Sequence, residues 1–185
     1  MGKTRLLLSR ELIYEPTHDR PSADLTPNPS PFKRGEFAVL LDNIRSAWNV
    51  GSIFRSADGF GFAHVYLCGI TPTPDVEAVT KTSLGAEDSV TWSYHKDAVK
   101  LVKGLKKEGW QIWALEESEK GKSITQASAL KSNRQVALIA GSEVTGVDPD
   151  LLNLANEIFY IPMQGEKKSF NVAMAFSIAA YALNK

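Results

Sequence analysis

The segment FAVLLDNIRSAWNVGSIFRSADGFGFAHVYLCG, residues 37–69, holds a strand, a helix and a second strand in a row. Phe37 to Leu41 is a continuous apolar run, as expected of a strand buried on both faces. Val50, Ile53, Phe54, Ala57 and Phe60 then recur at helical spacing. His64 to Cys68 is a second short strand, ended by Gly69. The alternation continues downstream. A loop with Pro72 and Pro74 leads to a helix marked by Val99, Leu101, Val102 and Leu105. Strands follow at 111–115 and 135–140. Near Val147 a helix begins, with Asp148 as N-cap, Pro149 in the first turn and Asp150 near the positive helix end. Ile158 to Ile161 is a last strand, stopped by Pro162, and Val172, Ala175, Phe176 and Ala179 mark a C-terminal helix. Strands alternating with helices predict an α/β domain with a mostly parallel sheet and helices on both faces.

Residues 1–36 read differently. Pro16, Pro21, Pro27, Pro29 and Pro31 crowd into this window. Proline has no N–H and a fixed φ, so neither a long helix nor a central strand fits there. The expectation is an extended N-terminal arm or linker over 1–36 and one domain over 37–185. The 185-residue chain suits a single core. Lys plus Arg equals Asp plus Glu, 21 each. A uniformly basic nucleic-acid binder is thereby disfavoured, and any RNA contact needs a local basic patch or a groove built between subunits. Cys68 reads as a small buried hydrophobe. His18, His64 and His95 lack ligand spacing, so no metal site is expected. No apolar run reaches the ~18 residues of a membrane span, and the start is too short in apolar residues for a signal peptide. The expected location is cytoplasmic.

In an open parallel sheet, ligands bind at the carboxyl ends of the strands, and three such ends carry unusual residues. The first is the loop and helix start from Asp42 to Arg55. Asn49 reads as the helix N-cap, and Gly51, Ser52, Arg55 and Gly59 share one face. Arg55 is either a solvated helix cation or a phosphate ligand, since a guanidinium offers five fixed donors. The second is Gly141–Ser142–Glu143–Val144–Thr145–Gly146, where two glycines let the backbone approach a ligand; an ordinary turn with a solvated Glu143 reads equally from the residues. The third runs from Ile161 to Ala175. Ser169 reads as the N-cap of the final helix, which sets Lys167 and Lys168 beside a positive helix end. A bound anion or a salt-screened loop would each relieve that conflict.

Taken together and in this order, the segments resemble the signature motifs of the SpoU/TrmH branch of the SPOUT methyltransferases. The matching pieces are Asn49-x-Gly51-x-x-x-Arg55, Leu138 to Glu143 with Gly146, and Ile161–Pro162–Met163 with Ser169-x-Asn171–Val172. Thr82 to Ala86 is similar to the family's Ser-x-Gly-Ala segment. The resemblance covers residues 37–185. It implies a C-terminal trefoil knot, S-adenosylmethionine as methyl donor, a ribose 2′-hydroxyl of tRNA or rRNA as acceptor, and a homodimer joined in part through Phe176 and Tyr181. The shortness of residues 1–36 favours tRNA over rRNA. By resemblance, Arg55, Asn49, Glu143, Ser169 and Asn171 surround the reaction, and Leu115, Gly141, Ile161, Ser169 and Phe170 hold the cofactor. The family's arginine has been proposed as general base; arginine stays protonated in proteins, so Arg55 reads better as a clamp for phosphate and developing alkoxide, with Glu143 as the other candidate base. The chain departs from the family at Phe170, usually Leu, and at Ala173, often Ser. A non-catalytic RNA-binding or assembly factor on the same fold is the alternative. An α/β enzyme for another nucleotide is a second one.

Overall fold

The computed structural model describes residues 37–130, 135–167 and 169–184. The arm expected over 1–36 lies outside the described residues. In chain order the main elements are β1 (Phe37–Asp42), α1 (Ala47–Gly59), β2 (His64–Cys68), α2 (Glu77–Ser83), α3 (Ala86–Ser89), β3 (Thr91–His95), α4 (Ala98–Lys107), β4 (Gln111–Leu115), β5 (Lys122–Ser123), α5 (Ala127–Leu130), β6 (Val136–Ala140), α6 (Pro149–Leu154), β7 (Glu157–Tyr160) and α7 (Val172–Leu183). The strands form one sheet in the order β3-β2-β1-β6-β4-β7-β5, and every pairing is parallel.

Side chains alternate across each strand. Val39 and Leu41 of β1 join Leu138 of β6 in the larger core, which α1 and α7 close with Phe54 and Phe176. Leu40, Ile139 and Ile112 point the other way and meet Val102 of α4 and Leu151 of α6. Helices therefore cover both faces, as expected. β1 and β6 are buried at every position, which is why their apolar runs are unbroken. Cys68 is fully buried, and burial pushes its thiol well above the ordinary range.

The structure departs from the sequence reading in several places. Residues 70–98 are not one loop: they contain α2, α3 and the edge strand β3. That strand is only half-buried throughout, so it lacks an apolar run. Ser93 of β3 sits between two imidazoles, 2.8 Å from Nε2 of His64 and 2.8 Å from Nε2 of His95, and burial lowers His64 to about 4. Phe176 does not face outward. It is fully buried, edge-on to Phe62 with ring centroids 5.1 Å apart, so the outer side of α7 is carried instead by Met174 and Tyr181.

Gly51 is also not on an open face. It is buried where α1 crosses α2, and a Cβ there would overlap Thr82 Oγ1 and the Val79 carbonyl. Most of its obstruction is backbone, which cannot swing aside. In an exposed helix Gly→Ala stabilises by about 1 kcal/mol, whereas overpacking costs about 1–3 kcal/mol. Gly51→Ala is therefore expected to lower the midpoint of urea unfolding; a variant as stable as the wild type would mean that α2 yields without cost.

Candidate active site

The carboxyl ends of β4, β6 and β7 open onto one cleft of about 480 Å³, within the range of roughly 300–1,000 Å³ usual for small-molecule sites. Its walls are Leu115, Ile161, Val172 and Ala175, and its floor is the turn from Gly141 to Gly146. Leu115, Gly141, Ile161, Ser169 and Phe170 all line it, as do Glu143 and Asn171. The structure thus brings together every residue expected to hold a cofactor. Arg55 is not among the lining residues; it stands exposed on α1.

Two helix caps are shifted from their expected positions, and the shift frees the side chains that build the site. Ser46, not Asn49, caps α1, its Oγ accepting from the Asn49 N–H at 3.3 Å. The Asn49 amide is therefore available on both ends. Its Nδ2 donates to Glu143 Oε1 at 2.9 Å, and its Oδ1 accepts from Asn171 Nδ2 at 3.0 Å. Asn171, not Ser169, caps α7: its Oδ1 accepts from the Ala173 N–H at 2.9 Å. The oxygen of this one amide thus serves the helix while its nitrogen donates to Asn49. Ser169 lies before the cap and faces the cleft.

Glu143 also accepts from two backbone N–H groups of the first loop, Arg45 at 3.0 Å on Oε2 and Ser46 at 3.3 Å on Oε1. Burial alone would raise this carboxyl, but the donors from Arg45, Asn49 and Ser46 outweigh it and hold it below the usual carboxylate range. Glu143 is consequently an ionised strut between loops and a poor proton acceptor. It holds Asn49; no hydrogen bond or ion pair joins it to Arg55 among the described residues.

Glu116 was not singled out from the sequence. It follows β4, where a lone glutamate reads as solvated. Its Oε2 accepts from the Val147 N–H at 2.7 Å and its Oε1 from the Glu117 N–H at 3.0 Å. Gly146, at φ +72°, has no room for a Cβ beside Glu116 Oε2. The turn is closed further by Gly146 N–H donating to the Ser142 carbonyl at 2.9 Å. Gly141, which lines the cleft, also shapes the turn. A Cβ there would overlap Val147 N and the Gly146 carbonyl carbon, so its missing side chain lets the turn fold back on its own strand. The only available clue to Glu116 was the second glycine, Gly146, far along the chain.

Among the described residues no group of three or more His, Cys, Asp and Glu is placed to hold a metal ion, and no helix is long and apolar enough to cross a membrane.

A family model described as the SpoU rRNA Methylase family matches residues 36–181. The chain is similar to the tRNA (guanosine(18)-2′-O)-methyltransferase of Thermus thermophilus, 27% identical over 80% of this chain and 74% of that protein. It is also similar to the 23S rRNA (guanosine(2553)-2′-O)-methyltransferase RlmP of Bacillus subtilis, 29% identical over 78% of this chain and 56% of the relative. The fold matches that of the SpoU methyltransferase AviRb from Streptomyces viridochromogenes, solved in complex with AdoMet, at a TM-score of 0.74 and 21% identity, over 83% of this chain and 61% of that one.

The Val147 N–H tests the part played by Glu116. Val147 is buried, so Glu116→Ala strands a donor and is expected to cost about 1–3 kcal/mol in urea unfolding. Glu116→Gln keeps an oxygen acceptor and should lose clearly less. Equal losses in the two variants would remove the hydrogen bond as the cause.

Proposed function

The chain belongs to the SpoU rRNA methylase family, and on that premise we propose that it transfers a methyl group from S-adenosylmethionine to a ribose 2′-hydroxyl of RNA. The observation that carries this reading is the tie from Glu143 through Asn49 to Asn171, which joins all three motif loops beside one cleft. The cleft suits the cofactor. Its apolar walls fit a nucleoside, and Glu116 and Glu117 give it a negative side for a ligand with cationic centres. S-adenosylmethionine, when bound, supplies the methyl group from its sulfonium centre. Leu115, Gly141, Ile161, Ser169 and Phe170 would hold it.

The remaining residues act on the RNA. A guanidinium is a poor proton acceptor in proteins, so the work of Arg55 is to clamp a phosphate and to stabilise negative charge developing on the 2′ oxygen. Asn49 and Asn171, fixed by each other and by Glu143, orient the ribose. Glu143 keeps its charge and serves through Asn49. Between substrates, tRNA comes first: the Thermus relative is named for tRNA, although the Bacillus one is named for rRNA. Residues 37–185 form the catalytic domain, with a trefoil knot in its C-terminal part and 1–36 as an appended arm, and the protein works in the cytoplasm.

The active form is a homodimer, supported by the neutral net charge and by Met174 and Tyr181, both 55% exposed on α7. Sedimentation at micromolar concentration is expected to give twice the chain mass. An active monomer would refute the dimer.

Single-turnover transfer to bulk tRNA, with calorimetric binding of S-adenosylmethionine alongside, tests the enzyme itself. Arg55→Ala should slow transfer by about a hundred- to a thousandfold with cofactor affinity kept, and Arg55→Lys should recover part, since lysine keeps the charge but not the planar fork. Near-normal transfer by Arg55→Ala would dismiss Arg55. RNA binding with no transfer to tRNA or rRNA by the wild type would favour a non-catalytic RNA-binding factor.

A further inference from the structure

Trp48 is 53% exposed, although α1 buries Ala47, Val50, Gly51, Ile53, Phe54 and Ala57 on its other side. An indole left open to water forgoes a large hydrophobic gain, so its position outside the core calls for a partner. Its mount is fixed. The Trp48 carbonyl accepts from Ser52 Oγ at 2.9 Å, Ser46 caps the helix just before it, and the preceding backbone is pinned to Glu143.

Two arginines flank Trp48 in the chain, with the Glu143 carboxylate held beneath the loop on the Arg45 and Ser46 N–H groups. Arg45 lies three residues before Trp48, and Arg55 lies seven after, on the same face of the helix as Trp48 and Ser52. Both arginines are exposed, and among the described residues neither guanidinium has a hydrogen bond or ion pair. The chain as a whole has no net charge, so two exposed arginines before and after an open aromatic ring in the chain, unpaired among the described residues, form a local feature. A flat apolar ring between two anion ligands complements one base between two phosphates. Asn49, the next residue, reaches Glu143 and Asn171 at the cleft.

We propose that Trp48 is a stacking platform for an unpaired base of the substrate RNA, at or beside the methylated nucleotide, with Arg45 and Arg55 seating the neighbouring phosphates. The proposal rests on the methyl-transfer reading above and adds a requirement to it. A base inside a duplex has both faces covered by its neighbours, so only a single-stranded or extruded nucleotide can use the ring.

The test uses the full chain as wild type, Trp48→Ala and Trp48→Phe. Fluorescence anisotropy is measured with a labelled oligouridylate and with an RNA duplex of equal length, next to calorimetry with S-adenosylmethionine and sedimentation. Trp48→Ala should bind the single strand about ten- to a hundredfold more weakly, with duplex affinity, cofactor affinity and oligomeric state unchanged. Trp48→Phe keeps a ring and should recover most of the loss. Undiminished binding of the single strand by Trp48→Ala overturns the platform, as does an equal loss on strand and duplex. A dimer that becomes a monomer on Trp48→Ala also overturns it, because a second copy of the chain would then be what covers the ring. If the wild type binds no S-adenosylmethionine, the methyl-transfer reading fails and the platform for its substrate falls with it.

Discussion

The Glu143 carboxylate accepts hydrogen bonds from Arg45 N–H, Ser46 N–H and the Asn49 amide, nearly a hundred residues away in sequence. A loop after β1 and a loop after β6 are adjacent because their strands pair directly, but pairing alone leaves the loops free to drift. An ionised group with several donors is a strong tie, since charge-assisted hydrogen bonds are about twice as strong as neutral ones. Leaving such a charge half-buried without its donors would be costly. The geometry of the first motif is therefore imposed by the second, and Asn171 extends the tie to the third.

Around this tie the sheet order does the coarse positioning. β6 lies between β1 and β4, and β7 lies on the far side of β4. Consecutive strands β6 and β7 are thus separated by β4, and their following loops come to flank the end of β4, where Leu115 and Glu116 stand. Glu116 then does for the glycine turn what Glu143 does for the first loop. Two carboxylates spent on backbone N–H groups make a rigid rim.

Where each side chain works for the fold, the sequence was readable. Val136 to Ala140 and Phe37 to Leu41 announce themselves because both faces of those strands are buried. β3 did not, because Thr91, Ser93 and His95 alternate with Trp92 and Tyr94 on a half-exposed edge, and polar edge positions resemble loop. The five residues expected to hold a cofactor, Leu115, Gly141, Ile161, Ser169 and Phe170, were legible from motif order and all line the cleft. The caps were not. Ser46 and Asn49 are both good N-caps, as are Ser169 and Asn171, and the choice is made by distant partners: an Asn49 engaged as a cap could not offer its amide to both Glu143 and Asn171. Glu116 stayed hidden for the same reason, since its partner Val147 follows β6, a direct neighbour of β4 in the sheet but distant in sequence.

Cys68 has a practical side. It is the sole cysteine of the chain, and it sits at the end of β2 under α4, fully enclosed, with a thiol held in its unreactive protonated form. Alkylating reagents and oxidants act on accessible thiolates, so the folded chain behaves as a thiol-free background. A single cysteine introduced on the outer face of α1 or α7 would take up a dye or spin label at that place alone, with no native residue to remove beforehand. Distances from such a label to an added binding partner then become measurable in a protein whose core is untouched.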